Sequence, residues 1–151
     1  MDRRTALGAI LAAPAMAGTA ALAAQAKDVG AHGHFERCAR VCADCMTHCE
    51  INFHHCAGLV AGGKKEHAHP MHLSVDCAEL CDVGAKLSAR HSVFAVPACE
   101  ACAKACDLCA AECEKFDDPH MKACAKACRD CARECREMIK NVGHNDKEEK
   151  K

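Results

Sequence analysis

The chain has 151 residues, a length that suits one domain, and its 20 basic and 21 acidic side chains nearly cancel. This balance, together with the lack of Trp and Tyr for stacking on bases, gives no electrostatic case for a nucleic-acid-binding protein. Sixteen residues are Cys, a content typical of metal-binding or disulfide-rich chains. Only four residues are Phe, so a core of large apolar side chains is not expected.

The N-terminal segment, residues 1–26, has the features of a cleavable export signal. Arg3 and Arg4 supply positive charge, an apolar Ala-rich stretch follows them, and residues 24–26 (Ala-Gln-Ala) match the small-x-small cleavage pattern. Cleavage at this point makes Lys27 the first residue of the mature protein. The segment therefore predicts a periplasmic protein without a membrane span in its mature form.

The paired arginines resemble a twin-arginine signal, which exports folded proteins. The match is partial, because Asp2 and Ala6 are not the residues usual at those positions. The alternative is a retained membrane anchor. The interruptions of the apolar stretch by Gly8, Pro14 and Gly18 argue against it.

The cysteines fall into four groups along the chain, and within each group the steps are 3, 4 or 7 residues. At about 100° per residue these steps keep every side chain on one helical face, whereas a strand would need steps of two. Each group therefore predicts one helix with a cysteine stripe. The groups are Cys38, Cys42, Cys45, Cys49 and Cys56; Cys77 and Cys81; Cys99, Cys102, Cys106, Cys109 and Cys113; and Cys124, Cys128, Cys131 and Cys135.

Turn and cap residues place the helix ends. The pair Gly62 and Gly63 ends helix 1 before a loop, proline suits the first turn of each later helix, and Asp118 is expected to cap helix 4. An extension over 27–33 precedes the helices, and a charged disordered tail over 144–151 follows them. The predicted helices run from about His34 to Ala61, from about Pro70 to His91, from about Pro97 to Phe116 and from Pro119 to about Gly143.

Four helices joined by short loops predict an all-α fold, an antiparallel up-down-up-down four-helix bundle over 34–143. The cysteine stripe occupies the face that Leu and Ile would normally fill. Leu108 is the only large aliphatic residue in the third stripe's helix segment, and the fourth has none. The thiols are therefore predicted to line the core, and the same C-x-x-x-C-x-x-C-x-x-x-C spacing recurs in helices 1, 3 and 4.

Three interpretations of these inward cysteines compete. In the first they are small hydrophobes or disulfides, although Ala or Val would pack as well without the risk of oxidation. In the second they hold zinc or iron–sulfur clusters, which usually need four ligands converging on one small site. We expect the thiols to run in a line along each helix instead. Four zinc–tetrathiolate sites would also leave a charge of about −8 in a dry core.

In the third interpretation the cysteines bind copper(I), a soft ion that prefers thiolate. Two sulfurs bound linearly to one ion lie roughly 4.5 Å apart, which a C-x-x-x-C pair on one helix can match. One ion per thiolate also leaves the core neutral. The candidate chelating pairs are Cys38/Cys42, Cys45/Cys49, Cys77/Cys81, Cys102/Cys106, Cys109/Cys113, Cys124/Cys128 and Cys131/Cys135.

These cysteine runs resemble those of the bacterial copper storage proteins, over residues from about 34 to 142. The resemblance implies a four-helix bundle with a cysteine-lined core that stores many Cu(I) ions. It also implies a homo-oligomer, such as a tetramer, that supplies copper to an enzyme. At one end of the bundle it implies a mouth with His and Met ligands.

One end of the predicted bundle gathers eight His and Met residues, and we expect the mouth there. These residues are His54, His55, His67, His69, Met71, His72, His120 and Met121. His54 at this end is predicted to point outward into solvent. On helix 2, Gly84, Ser88 and His91 are expected to continue the inner face beyond the two cysteines. His91, at the other end, is either a core histidine or a ligand, and Met46 either packs or binds metal. The predicted mouth ligands are His120, Met121, Met71 and His55.

The leading hypothesis is a binding protein, not an enzyme, because no nucleophile–base pair or open metal site is evident. It predicts high-capacity Cu(I) storage that supplies an exported or membrane copper enzyme. A thiol oxidoreductase using a C-x-x-C motif such as Cys99/Cys102 is the alternative from another class. A zinc-binding or disulfide-stapled structural bundle is the third.

Overall fold

The structure of the protein, a computed structural model, describes residues 18–142. The predicted twin arginines and the predicted tail over 144–151 lie outside the described residues. The elements are α1 (Gly18–Ala61), a short 3-10 helix (Lys65–His67), α2 (Ala68–Ala89), α3 (Ala95–Cys113) and α4 (Pro119–Val142). None of these helices is both long and apolar enough to cross a membrane.

The first helix is longer than predicted. It begins at Gly18, so the prediction of a start near His34 was wrong. The Cys periodicity that guided the prediction starts only at Cys38, whereas the preceding residues are rich in Ala, the best helix former. The predicted cleavage after Ala26 falls within α1, and this cleavage stays a prediction.

The glycine pair ends α1 as predicted. Gly63 has φ +93°, in the left-handed region that glycine adopts without a steric penalty. The Lys64 N–H donates to the Leu59 carbonyl (3.0 Å) and closes the last turn. A loop was predicted over 64–69, but residues 65–67 form the 3-10 helix and residues 68–69 are the first of α2.

Both α2 and α3 begin two residues before the proline that was expected to start them. Pro70 and Pro97 therefore occupy third positions, where a missing N–H costs nothing because the first four helical N–H groups have no partner within the helix. The far boundaries also differ, since α2 ends at Ala89 and α3 at Cys113, earlier than predicted.

The fourth helix is capped as predicted. The Asp118 carboxylate accepts hydrogen bonds from the backbone N–H groups of His120 (2.8 Å) and Met121 (3.1 Å). Hydrogen bonds to the ionised form lower the pKa of Asp118, although its partial burial acts in the opposite direction. This cap also fixes where the first side chains of α4 point.

The four helices form a closed ring in which each packs against two neighbours: α1 on α2 and α4, and α3 on α2 and α4. Contacts between α1 and α4 run in opposite chain directions, from Cys38 with Cys135 to Cys49 with Cys124. The contacts between α2 and α3 reverse in the same way. Neighbouring helices that run antiparallel make contacts in this reversed sequence.

The core of the bundle is built from cysteine. All sixteen Cys are at most 1% exposed, which confirms the prediction of inward thiols. Met121 and Met138 are also fully buried, and Ala fills most of the remaining positions. Among the side chains that the structure describes, none of the fully buried ones is Leu, Ile, Val or Phe.

Candidate metal site

The sulfur atoms form one lattice along the bundle axis, which we call the thiol core and which comprises all sixteen cysteines. Neighbouring sulfurs on different helices lie close together, for example Cys38 and Cys99 at 3.5 Å and Cys81 and Cys102 at 3.5 Å. A disulfide bond would be about 2.05 Å long. All sixteen cysteines are accordingly free thiols, and most of them lie in contact with one another, whereas Cys56 contacts Met121.

The thiol core contains groups of four sulfurs that all lie within 4.8 Å of one another. We call these groups tetrads. Each tetrad shares at least one thiol with the next, so they form a continuous ladder and not separate sites. Five of them are Cys38/Cys42/Cys99/Cys135, Cys42/Cys102/Cys131/Cys135, Cys45/Cys81/Cys106/Cys131, Cys45/Cys77/Cys106/Cys128 and Cys49/Cys77/Cys109/Cys128.

The expectation that the thiols run in lines without converging was wrong. Stripes on facing helices meet in the middle of the bundle, so contacts between helices are as short as those along one helix. The predicted pairs Cys38/Cys42 and Cys77/Cys81 have sulfur separations of 3.9 and 4.0 Å. An ion in this core therefore has candidate thiol ligands on several helices as well as on one.

Overlap between tetrads limits how many four-thiolate sites the core can hold. A structural zinc site takes four thiolates, so such sites would be confined to tetrads that share no thiol, for example Cys38/Cys42/Cys99/Cys135 and Cys45/Cys81/Cys106/Cys131. An ion that needs only two thiolates can use the whole ladder, and Cu(I) is the soft ion with this preference. Neutrality favours the same ion, since one Cu(I) per thiolate leaves no net charge in the dry interior.

Hydrogen bonds among the thiols shift their pKa values in opposite directions. The hydrogen bond with Cys102 raises the pKa of the Cys42 thiol, whereas the hydrogen bond with Cys106 lowers the pKa of Cys45. Burial raises the pKa of Cys56 to about 11. Cys56 is thus neutral at pH 7, and a metal ion that binds it must displace its proton.

Three polar side chains share the core with the thiols, and two of them, Asn52 and Ser74, were missed by the sequence analysis. The Asn52 amide donates to Ser74 Oγ (2.9 Å) and to Cys113 Sγ (3.5 Å). Ser88, the third, contacts Cys99 Sγ at 3.5 Å. The signal was present, because Asn52 follows Cys49 by three residues and so continues the stripe.

At one end of the bundle, which we call the mouth end, the last turns of α1 meet the start of α4. The Cys56 thiol donates to Met121 Sδ (3.6 Å). The rings of His55 and His120 lie 4.4 Å apart, and His55 Nε2–H donates to Asp118 Oδ2 (3.1 Å). The structure therefore brings His55, His120 and Met121 together beside a thiol, and metal binding by them stays a prediction.

The remaining His and Met candidates are placed less centrally. Met71 and Met46 are half-buried against the core, and His54 is exposed, as predicted. His91 stacks on the Phe35 ring, with the centroids 4.8 Å apart. It lies beyond the end of α2, so it does not continue the inner face of that helix as the sequence suggested.

A helical bundle whose interior is a ladder of free thiols defines a class of protein suited to many soft metal ions. The family model for copper storage proteins matches residues 31–140, and the chain belongs to this family.

Individual relatives agree with this assignment. The uncharacterized cysteine-rich protein YhjQ of Bacillus subtilis is 37% identical over 85 residues, which is 56% of this chain and 77% of that protein. The Cu(I)-bound copper storage protein BsCsp3 is 36% identical, with a TM-score of 0.65 over 70% of this chain and 98% of its own. A cytosolic copper storage protein from Streptomyces lividans with five coppers is 27% identical, with a TM-score of 0.64 over 72% and 94%.

Proposed function

We propose that this protein stores Cu(I) in its thiol core, with about one ion per thiolate. The observation that carries the proposal is the ladder of overlapping tetrads, since shared thiols suit an ion of low coordination number. The relatives that hold Cu(I) ions in the same fold support it.

We extend the proposal to the setting of the protein. The N-terminal sequence supports export to the periplasm, where the store would supply an exported or membrane copper enzyme as a homo-oligomer. The Streptomyces relative is cytosolic, so the export part rests on the N-terminal sequence of this chain alone.

Counting the free thiols of the purified protein tests storage against the two other classes of function. Without copper and under anaerobic conditions, we expect nearly all sixteen thiols to react with a thiol reagent after unfolding, because storage requires reduced sulfur. A single reactive pair, such as Cys99/Cys102, would indicate an oxidoreductase. A count near zero would indicate a disulfide-stapled bundle and contradict the proposal.

The mouth end is the proposed opening for copper. An ion that enters a buried thiol row needs intermediate ligands that bind it more weakly than thiolate, and thioether and neutral imidazole meet this need. Met121 contacts the outermost thiol, Cys56, and the neighbouring imidazoles of His55 and His120 lie beside it. The arrangement supports a path from imidazole to thioether to thiolate.

A triple variant in which His120, Met121 and Met71 are all changed to Ala should load and release copper about tenfold more slowly, or slower still. Its final copper capacity should be almost unchanged. The thiols that set the capacity are untouched, whereas the capture ligands are lost. Stopped-flow measurement of Cu(I) transfer from a chelator gives the rates.

Replacing His91, at the opposite end, is the control and should leave these rates unaltered. A slow His91→Ala variant beside a mouth variant with the wild-type rate would show that copper enters at the other end.

A further inference from the structure

The second helix contributes thiols to only part of the ladder. Cys77 and Cys81 belong to the tetrads nearer the mouth end, but the tetrads Cys38/Cys42/Cys99/Cys135 and Cys42/Cys102/Cys131/Cys135 take all their sulfurs from α1, α3 and α4. Where these two tetrads lie, α2 presents Gly84 and Ser88, both of which are buried. The ladder is thus lined by glycine on one side in this region.

A glycine inside a helix is unfavourable relative to Ala, so its position requires a reason. A Cβ built on Gly84 would lie 3.5 Å from Cys42 Sγ and 3.8 Å from Cys102 Sγ. These are ordinary contact distances. An alanine would therefore fit against the metal-free thiols, and packing of the metal-free core does not explain the glycine.

Metal geometry does explain it. Cys42 Sγ and Cys102 Sγ lie no more than 4.8 Å apart, and two metal–sulfur bonds of about 2.3 Å span roughly 4.6 Å in a line. At that sulfur separation, an ion midway between them would lie about 2.8 Å from a Cβ on residue 84, well inside the roughly 3.5–4.0 Å at which packed carbon atoms are most stable. Only glycine at position 84 leaves room for an ion between the two sulfurs.

We infer that Gly84 is a positioning residue that keeps open a Cu(I) site bridging Cys42 and Cys102. The inference rests on the proposed storage of Cu(I) by the thiol core and adds to it the location of one ion. It also accounts for a glycine, and not a third thiol, at the position three residues after Cys81 on α2, because a side chain there would occupy the space beside the ion.

Anomalous diffraction at the copper edge, from crystals of the fully loaded protein, tests the inference together with Cu(I) titration of the same samples. In the wild type we expect copper within about 2.4 Å of both sulfurs. In Gly84→Ala we expect this ion to be lost and the stoichiometry to fall by one or two ions. Gly58→Ala is the matched control, because Gly58 also lies in a helix and a Cβ there would meet no described atom within 4 Å.

The outcomes separate this inference from the proposed function. A wild-type protein that takes up only a few ions would contradict storage itself. A wild-type protein loaded in the expected amount but without copper between Cys42 and Cys102, or a Gly84→Ala variant that keeps that ion, would overturn the role of Gly84 and leave storage intact. The wild-type crystals decide the position of the ion even if the variant fails to fold.

Discussion

Anaerobic titration of the protein with Cu(I) against a competing chelator is expected to saturate at about one ion per cysteine, on the order of 16 ions per chain. The reason is charge. Each thiolate carries −1 into a core where no Lys or Arg side chain is buried among the described residues, so each needs one monovalent cation. Saturation near four ions would instead indicate sites of four thiolates each and contradict the proposal.

A single substitution sharpens this measurement. Cys45 belongs to two tetrads at once. If ions are bound by pairs of shared thiolates, Cys45→Ala should lower the capacity by about one ion and leave the others in place. If the tetrads were separate four-thiolate sites, the same change would remove a much larger fraction of the bound metal.

The metal-free protein is expected to be helical and to gain thermal stability on loading. Protonated thiols are neutral and behave as small hydrophobes, so the core can form without metal. It lacks buried Leu, Ile, Val and Phe among the described side chains, and its stability without copper should therefore be modest. An ion at 100 times its dissociation constant adds about 2.7 kcal/mol per site, so full loading should raise Tm by on the order of 10 °C or more.

Circular dichroism of the metal-free and loaded forms checks this expectation, with Zn(II) as the comparison ion. We expect Zn(II) to give a smaller rise, since it cannot occupy every part of the ladder without leaving negative charge. A metal-free protein that is largely unfolded would show that folding is coupled to metal binding and that the thiol core is not preformed.

Periodicity along the chain was enough to predict the bundle and the inward thiols. Steps of 3 and 4 between cysteines define one face of each helix, and the short connections favour an antiparallel bundle that buries the four faces together. The start of α1 could not be predicted in this way, because the residues before Cys38 carry no cysteine stripe.

The convergence of thiols from several helices was beyond the sequence pattern for a different reason. Spacing within one helix says nothing about the axial offset between two helices, and that offset decides whether Cys45 faces Cys106 or a gap. It also decides that Cys56 meets Met121, where the sequence indicated only that both lie at the same end. Asn52 lies in the register of the stripe, but it is an amide among thiols, and the cysteine spacing did not predict it as a core residue.

The sharing of thiols between tetrads has a consequence for how ions move within the thiol core. An ion bound in one tetrad can pass to the next by exchanging one sulfur at a time, since the thiol that it keeps already belongs to both. No ion has to be released into solvent to travel the length of the bundle. A thiol core of this kind needs only one opening. It would release ions in the reverse order of their binding, so that the last ion to enter is the first to leave.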